Sequence, residues 1–253
     1  MKLLAALQFL TIFPIPKRRQ INAEELGASQ GYFPLVGLLL GAILAGVDWL
    51  LGFILPVAVV NAVIIIVLVV LTGALHVDGF IDTCDGLLAR KIPEERWRIM
   101  SDSRVGGFGV AGAFCLLLLF YVSLGSIPES YRMIALILTP TLGRWSMVYA
   151  IFAFPYAKPT GLGVSFKEQA GWRKLVLATL IALAATVGLF AIRGLGLMLA
   201  GLALMLVVWL VALAVALFLR GKFGGLTGDS YGAINEVTQV FVLIFFCVIS
   251  GWC

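Results

Sequence analysis

The segment His76-Val77-Asp78-Gly79-Phe80-Ile81-Asp82-Thr83-Cys84-Asp85-Gly86-Leu87-Leu88-Ala89-Arg90 carries the densest chemistry in the chain. As a helix it puts Asp78, Asp82 and Asp85 at i, i+4 and i+7, three carboxylates within a narrow arc. Anions that close disfavour one another's ionisation. A hard divalent cation relieves the repulsion, and Mg²⁺ commonly takes carboxylates together with substrate phosphates. A solvated acidic surface helix would place Lys or Arg four residues on. Those positions hold Asp82, Gly86 and Ala89. The spacing of an EF-hand Ca²⁺ loop is absent. Asp78, Asp82 and Asp85 are therefore expected to ligate a metal, with Asp82 and Asp85 taking part in catalysis. His76, the one histidine, rules out a His-rich metal site and is expected as a substrate contact or a cap. Gly79 and Gly86 each cost a helix roughly 1 kcal/mol relative to Ala. In return they let a ligand or a second helix approach closely.

Three other segments belong beside this one. Asp102-Ser103-Arg104-Val105-Gly106-Gly107-Phe108-Gly109 pairs an acid with a guanidinium at the start of an apolar stretch. Arg suits bidentate phosphate contact, so Arg104 and Gly106 are expected at a phosphate, with Asp102 as a candidate base ahead of Asp85 and His76. Packing through small residues is the other reading of Gly106, Gly109 and Gly112. Arg144, in Gly143-Arg144-Trp145, lies well inside an apolar stretch, where an arginine is expensive and needs a carboxylate or phosphate partner. Two Gly-rich loops complete the set: Tyr156-Ala157-Lys158-Pro159-Thr160-Gly161-Leu162-Gly163, and Gly224-Gly225-Leu226-Thr227-Gly228-Asp229-Ser230-Tyr231-Gly232, followed by Asn235 and Glu236. Backbone N–H groups of such loops can cradle phosphates, though neither is a Walker A motif. Thr227, Asp229 and Asn235 are expected to contact substrate.

The elements that position these residues follow from composition. Of 253 residues 62% are hydrophobic and 12% charged, about half the charge of a soluble domain. Mean hydropathy is +1.08. The expected fold is all-α: one polytopic integral membrane domain over 1–253. A span takes about 20 apolar residues. Seven stretches qualify: Tyr32–Leu55, Val57–Leu75, Val105–Ile127, Arg132–Phe154, Leu175–Ile192, Leu195–Leu219 and Ala233–Trp252. The acidic segment is expected to continue span two without a break. Met1–Pro14 is apolar but short, and its charge (Lys17-Arg18-Arg19) follows rather than precedes it, unlike a secretory signal. An interfacial or re-entrant helix is expected there. With the N-terminus inside, every Lys and Arg except Arg132, Arg193 and the intramembrane Arg144 falls on inner segments, as the positive-inside rule requires. Nearly all acids lie on that side too, Asp48 and Glu129 excepted. The net charge of +5 is thus a membrane-topology signal, and no basic–aromatic patch points to nucleic acid. Cys84, Cys115, Cys247 and Cys253 lack ligand spacing.

His76-x-Asp78-Gly79-x-x-Asp82-x-x-Asp85-Gly86, Asp102-Ser103-Arg104-x-Gly106, Gly143-Arg144-Trp145, Gly225-Leu226-Thr227-Gly228-Asp229 and the early Leu7–Thr11 occur in this order. Together they resemble the cobalamin synthase (adenosylcobinamide-GDP ribazoletransferase) family through nearly the whole chain. The resemblance implies a membrane-integral, Mg²⁺-dependent phosphotransferase of cobalamin nucleotide-loop assembly. Its substrates would be adenosylcobinamide-GDP and α-ribazole or its 5'-phosphate, its products adenosylcobalamin (or the 5'-phosphate) and GMP. The setting would be the cell inner membrane, with the active site facing the cytoplasm. A homo-oligomer and association with other enzymes of the pathway both stay open. Asp82-x-x-Asp85-Gly86-x-x-Ala89-Arg90 also fits the first half of the CDP-alcohol phosphotransferase motif. The second half fails, with Ile99, Ser103 and Gly107 where Gly, Asp and Asp are required. A cation-coupled transporter is a third reading, and it would put acids near mid-membrane.

Overall fold

The structure, a computed structural model, describes residues 2–13, 22–89 and 92–250. Pro14-Ile15-Pro16, the Lys17-Arg18-Arg19 cluster, Arg90, Lys91 and Cys253 lie outside the described residues. The helices are α1 (Lys2–Leu10), α2 (Ala23–Ser29), α3 (Phe33–Leu51), α4 (Val57–Leu71), α5 (Leu75–Leu88), α6 (Pro93–Met100), α7 (Gly107–Ser126), α8 (Glu129–Ala153), α9 (Leu162–Glu168), α10 (Trp172–Arg193), α11 (Met198–Phe223) and α12 (Gly228–Ser250). Six are long and apolar enough to cross a membrane: α3 with α2 ahead of it, α7, α8, α10, α11 and α12. The chain is an all-α polytopic membrane protein.

The expectation of one helix from span two into the acidic segment is corrected. Helix α4 stops at Leu71, and α5 leaves at 90° to it. The stop is a Schellman motif: the Ala74 N–H donates to Val69 O (2.9 Å) and the Gly73 N–H to Val70 O (2.9 Å). Gly73 takes the left-handed conformation (φ 59°), and Ala74 follows it at φ 58°. The bend turns α5 out of the direction of α4 and against the first turns of α12 and α7. A seventh span exists only if α4 and α5 count as one bent unit.

Helix α8 is the hub. It is buried almost all round, including Arg132, Thr139, Thr141, Arg144 and Ser146. Helices α10 and α11 are far more apolar and show large side chains such as Leu180, Leu199 and Leu206 outward. A helix shielded from lipid by its neighbours can carry polar groups, and one facing lipid cannot. Helix α3 crosses α8 at closest approach: Gly37 lies on Pro140 and Thr141, and Gly41 on Ile137. A Cβ at Gly37 would fall on the Pro140 carbonyl, backbone that cannot step aside. Gly37→Val is therefore expected to cost about 1–3 kcal/mol or more through overpacking. A thermal midpoint in detergent equal to that of the wild type would refute this.

At the end away from α5, Arg132 is held by Asp48 (2.7–3.0 Å), Asn61 Oδ1 (2.6 Å) and Leu124 O (3.1 Å). This cluster ties α8 to α3, α4 and α7. Arg132 and Asp48, set apart in the sequence by their position on the outer side, thus serve the fold. At the other end, α1 buries Ala5, Ala6 and Leu10, and Phe9 meets Phe33 and Phe166.

Candidate active site

The buried stripe of α5 is His76, Gly79, Thr83 and Gly86. Gly79 lets α12 pack directly on this stripe, while Gly86 receives Met100 and Phe223. A Cβ at Gly79 would stand 3.0 Å from Asp229 O, and one at Gly232 3.0 Å from His76 O. The glycines expected to admit a ligand or a helix thus admit a helix, and the close approach sets Asp229 beside Asp78 and Asp82. Packing also accounts for the next glycine set. Gly106, Gly109 and Gly112 seat α7 on Ile81, Cys84 and Asp85. The Asp85 carboxylate accepts from Gly106 N (2.7 Å) and Gly109 N (2.7 Å). A carboxylate at a helix start complements its free N–H groups and dipole. The Gly106 amide, expected at a phosphate, is directed at Asp85.

The two Gly-rich loops join each other. Ala157 N donates to Leu226 O (2.8 Å) and Leu226 N to Pro155 O (2.9 Å), a parallel bridge at Tyr156 and Leu226. Gly225 makes it possible, because a Cβ there would meet Ala157 N at 2.9 Å. Thr227 is fully buried and caps α12, its Oγ1 accepting from Ser230 N (3.1 Å). The clamp brings Lys158 Nζ to 3.4 Å from Asp229 Oδ2 and 3.4 Å from Ser101 Oγ.

These elements enclose a pocket of about 450 Å³ at one end of the bundle, with Asp78, Asp229, Lys158, Ser101 and His76 in its wall. Asp82, half-buried beside it, has its carboxyl pushed up to about 7, by burial first and then by Asp229, Asp78 and Asp85. Lys158 opposes that shift. The groups crowding Asp82 are all carboxylates, an oxygen donor set suited to a hard cation. As the side chains stand, no group of three or more His, Cys, Asp or Glu among the described residues is gathered closely enough to hold a metal ion. Burial, then the Arg144 guanidinium, holds the His76 imidazole well below its usual range. Neither of its ring nitrogens hydrogen-bonds within the described residues.

The other expected site residues fall elsewhere. Asp102 and Arg104 pair with each other at 2.8 Å, and the Arg104 side chain is 88% exposed. The Arg104 hydrogen bonds hold the Asp102 carboxyl at about 2, which makes it a weak base at neutral pH. Arg144 is fully buried, with one hydrogen bond among the described residues, to Pro140 O (3.3 Å). The anionic group acting on it is Glu236, so its partner within the protein is a carboxylate. Asn235 is buried too, donating to Glu236 Oε1 at 2.9 Å. Lys158, Tyr156 and Glu236 stand in the segments read above but outside the expected site residues. A lysine inside a Gly-rich loop and an acid within the first turns of an apolar helix were the available signals.

A family model described as cobalamin-5-phosphate synthase matches residues 2–247. The chain belongs to this family. Among its relatives, the adenosylcobinamide-GDP ribazoletransferase of Desulforamulus reducens is 39% identical over 97% of this chain and 95% of its own length. The protein of the same name from Geotalea daltonii is 37% identical over 97% and 96%, and that of Roseiflexus sp. 37% over 94% and 86%. No solved structure matches the chain. The cobalamin-5-phosphate synthase match spans the acidic helix, both Gly-rich loops and every span, so the CDP-alcohol reading of the half-motif is not favoured.

Proposed function

We propose that the chain is an adenosylcobinamide-GDP ribazoletransferase acting in cobalamin nucleotide-loop assembly. A hydroxyl of α-ribazole, or of its 5'-phosphate, attacks the cobinamide-linked phosphorus. The P–O bond to GMP breaks, and the hydroxyl proton is lost. The observation that carries this reading is Asp78, Asp229 and Lys158 sharing one pocket wall, with Asp82 crowded by Asp78, Asp85 and Asp229 beside it. It stands beside the family match and the relatives' names. Displacement at a phosphodiester needs charge neutralisation and alignment more than covalent help. Asp78, Asp82, Asp85 and Asp229 would hold Mg²⁺, which supplies Lewis-acid neutralisation of the diphosphate. Lys158 binds phosphate oxygen from the loop clamp. Arg104, oriented by Asp102, reaches a phosphate from the rim. The positive-inside rule, applied to the segments rich in Lys and Arg, supports a mouth open to the cytoplasm at the inner membrane, where charged, soluble substrates would arrive.

GMP release by purified protein in proteoliposomes is the test. Release is expected only when adenosylcobinamide-GDP, α-ribazole and Mg²⁺ are all present, and to stop on chelation. Release without α-ribazole, or none under any combination, would overturn the assignment. Undiminished release in excess EDTA would remove the metal from it.

A further inference from the structure

We propose that the aromatic end of the pocket is the seat of the acceptor's base, the benzimidazole of α-ribazole. The proposal rests on the ribazoletransferase reading and adds to it where the smaller substrate sits. Three rings from distant parts of the chain converge on one wall. Phe9 of α1 lies 5.0 Å from Phe166 of α9 and 6.0 Å from Phe33 of α3, and Phe33 and Phe166 are 5.8 Å apart, centroid to centroid. Tyr156 and Tyr231, stacked at 6.4 Å, line the same cavity. Rings facing a cavity offer stacking surface to a flat ligand. The same cavity carries Asp78, Asp229 and Lys158 in its wall. A ligand with a planar apolar body and a hydroxylated sugar therefore finds a matching surface for each half, with its hydroxyls toward the carboxylates.

Size and polarity choose among occupants. About 450 Å³ falls in the usual range for small-molecule pockets, roughly 300–1,000 Å³, and is too small for a corrin ring with its side chains. Guanine carries donors and acceptors along its edge, whose burial against Phe9, Phe33, Phe166, Met147 and Ile151 would go uncompensated. A benzimidazole riboside has one free ring nitrogen.

The test uses the full-length protein and Phe9→Ala, with Phe9→Tyr as the conservative control. Phe9 is half-buried on a peripheral helix, so the fold is retained. In Phe9→Ala the KM for α-ribazole is expected to rise about 5- to 100-fold, the loss of one base–aromatic contact, with the KM for adenosylcobinamide-GDP within about twofold. Phe9→Tyr recovers most of the loss. Calorimetric titration of α-ribazole alone, without turnover, should show the same weakening. Unchanged α-ribazole KM and affinity in Phe9→Ala would overturn the proposal while leaving the proposed reaction standing. A selective rise in the other substrate's KM would give the pocket to guanine and overturn it as well. Co-purified phospholipid that α-ribazole fails to displace would do the same. If no GMP is released by the wild type, the titration still decides: Phe9-dependent binding upholds the seat, and no binding removes it.

Discussion

Asp82→Asn is expected to lower GMP release by at least about 10²- to 10³-fold, the scale of losing one group that neutralises charge in the reacting complex, while the protein stays folded and membrane-inserted. The geometry makes a further demand. Asp82 is crowded by burial and by Asp229, Asp78 and Asp85, which push its carboxyl up to about 7. The folded state therefore binds a proton at Asp82 more tightly than the unfolded state does. Between the ordinary carboxylate range and about pH 7 the unfolded chain holds fewer protons at this position, so stability contributed by the protonated form is lost as pH rises through that window. An amide of the same shape carries no charge. In chelator-treated protein the Asn variant is expected to match or exceed the wild-type thermal midpoint, with a flatter pH profile between about 4 and 7. A site that lowers fold stability for function behaves this way. Near-normal turnover across Mg²⁺ concentrations would remove Asp82 from the chemistry. A wild-type midpoint that climbs with pH through the window would contradict the crowding.

Glu236→Ala is expected to give the largest stability loss. Glu236 accepts from Asn235 Nδ2 (2.9 Å) and Gln239 Nε2 (3.0 Å) and is the anion acting on Arg144. Arg144 is fully buried, and its Nε and Nη2 have no hydrogen-bond partner among the described residues. Truncating the acid leaves a buried guanidinium without counter-charge, at a cost of about 3–5 kcal/mol. Arg144→Met with Glu236→Leu removes both charges together, and this double variant is expected to recover much of the loss. Thermal unfolding of the single and double variants in detergent measures the coupling. Additive effects would show that the two residues do not act on each other. Because the charge of Arg144 acts on His76, which lines the pocket, the double variant also separates roles. Retained turnover would confine the pair to the fold, and lost turnover at recovered stability would make Arg144 a positioning residue for the site.

Much of this was legible in the residues themselves. Long apolar runs mark helices that satisfy their own backbone in lipid, because that follows from local composition. The i, i+4, i+7 spacing of Asp78, Asp82 and Asp85 holds because the segment is helical, whatever the direction of that helix. The break before it was less legible. Gly73 marks it, but Ala74 in the left-handed region is a conformation the surrounding structure imposes. The glycines of α7 had two readings, and the choice depended on whether Asp85 would meet their amides, a contact between segments more than 20 residues apart in sequence.

The membrane-spanning class and the ordered motifs are therefore properties of the sequence alone. Each depends on residue type and near-neighbour spacing. What only the tertiary structure decided is which of those groups share a site. The 90° turn between α4 and α5 lays the acids across the ends of α7 and α12. The Tyr156–Leu226 bridge carries Lys158 to Asp229, and α1 delivers Phe9 to Phe33 and Phe166. The same packing buries Arg144 with Glu236 and leaves Arg104 with Asp102 exposed. Apart from the local Asp102–Arg104 pair, these contacts join residues tens of positions or more apart, and they exist only once the helices have buried their small-residue faces against one another.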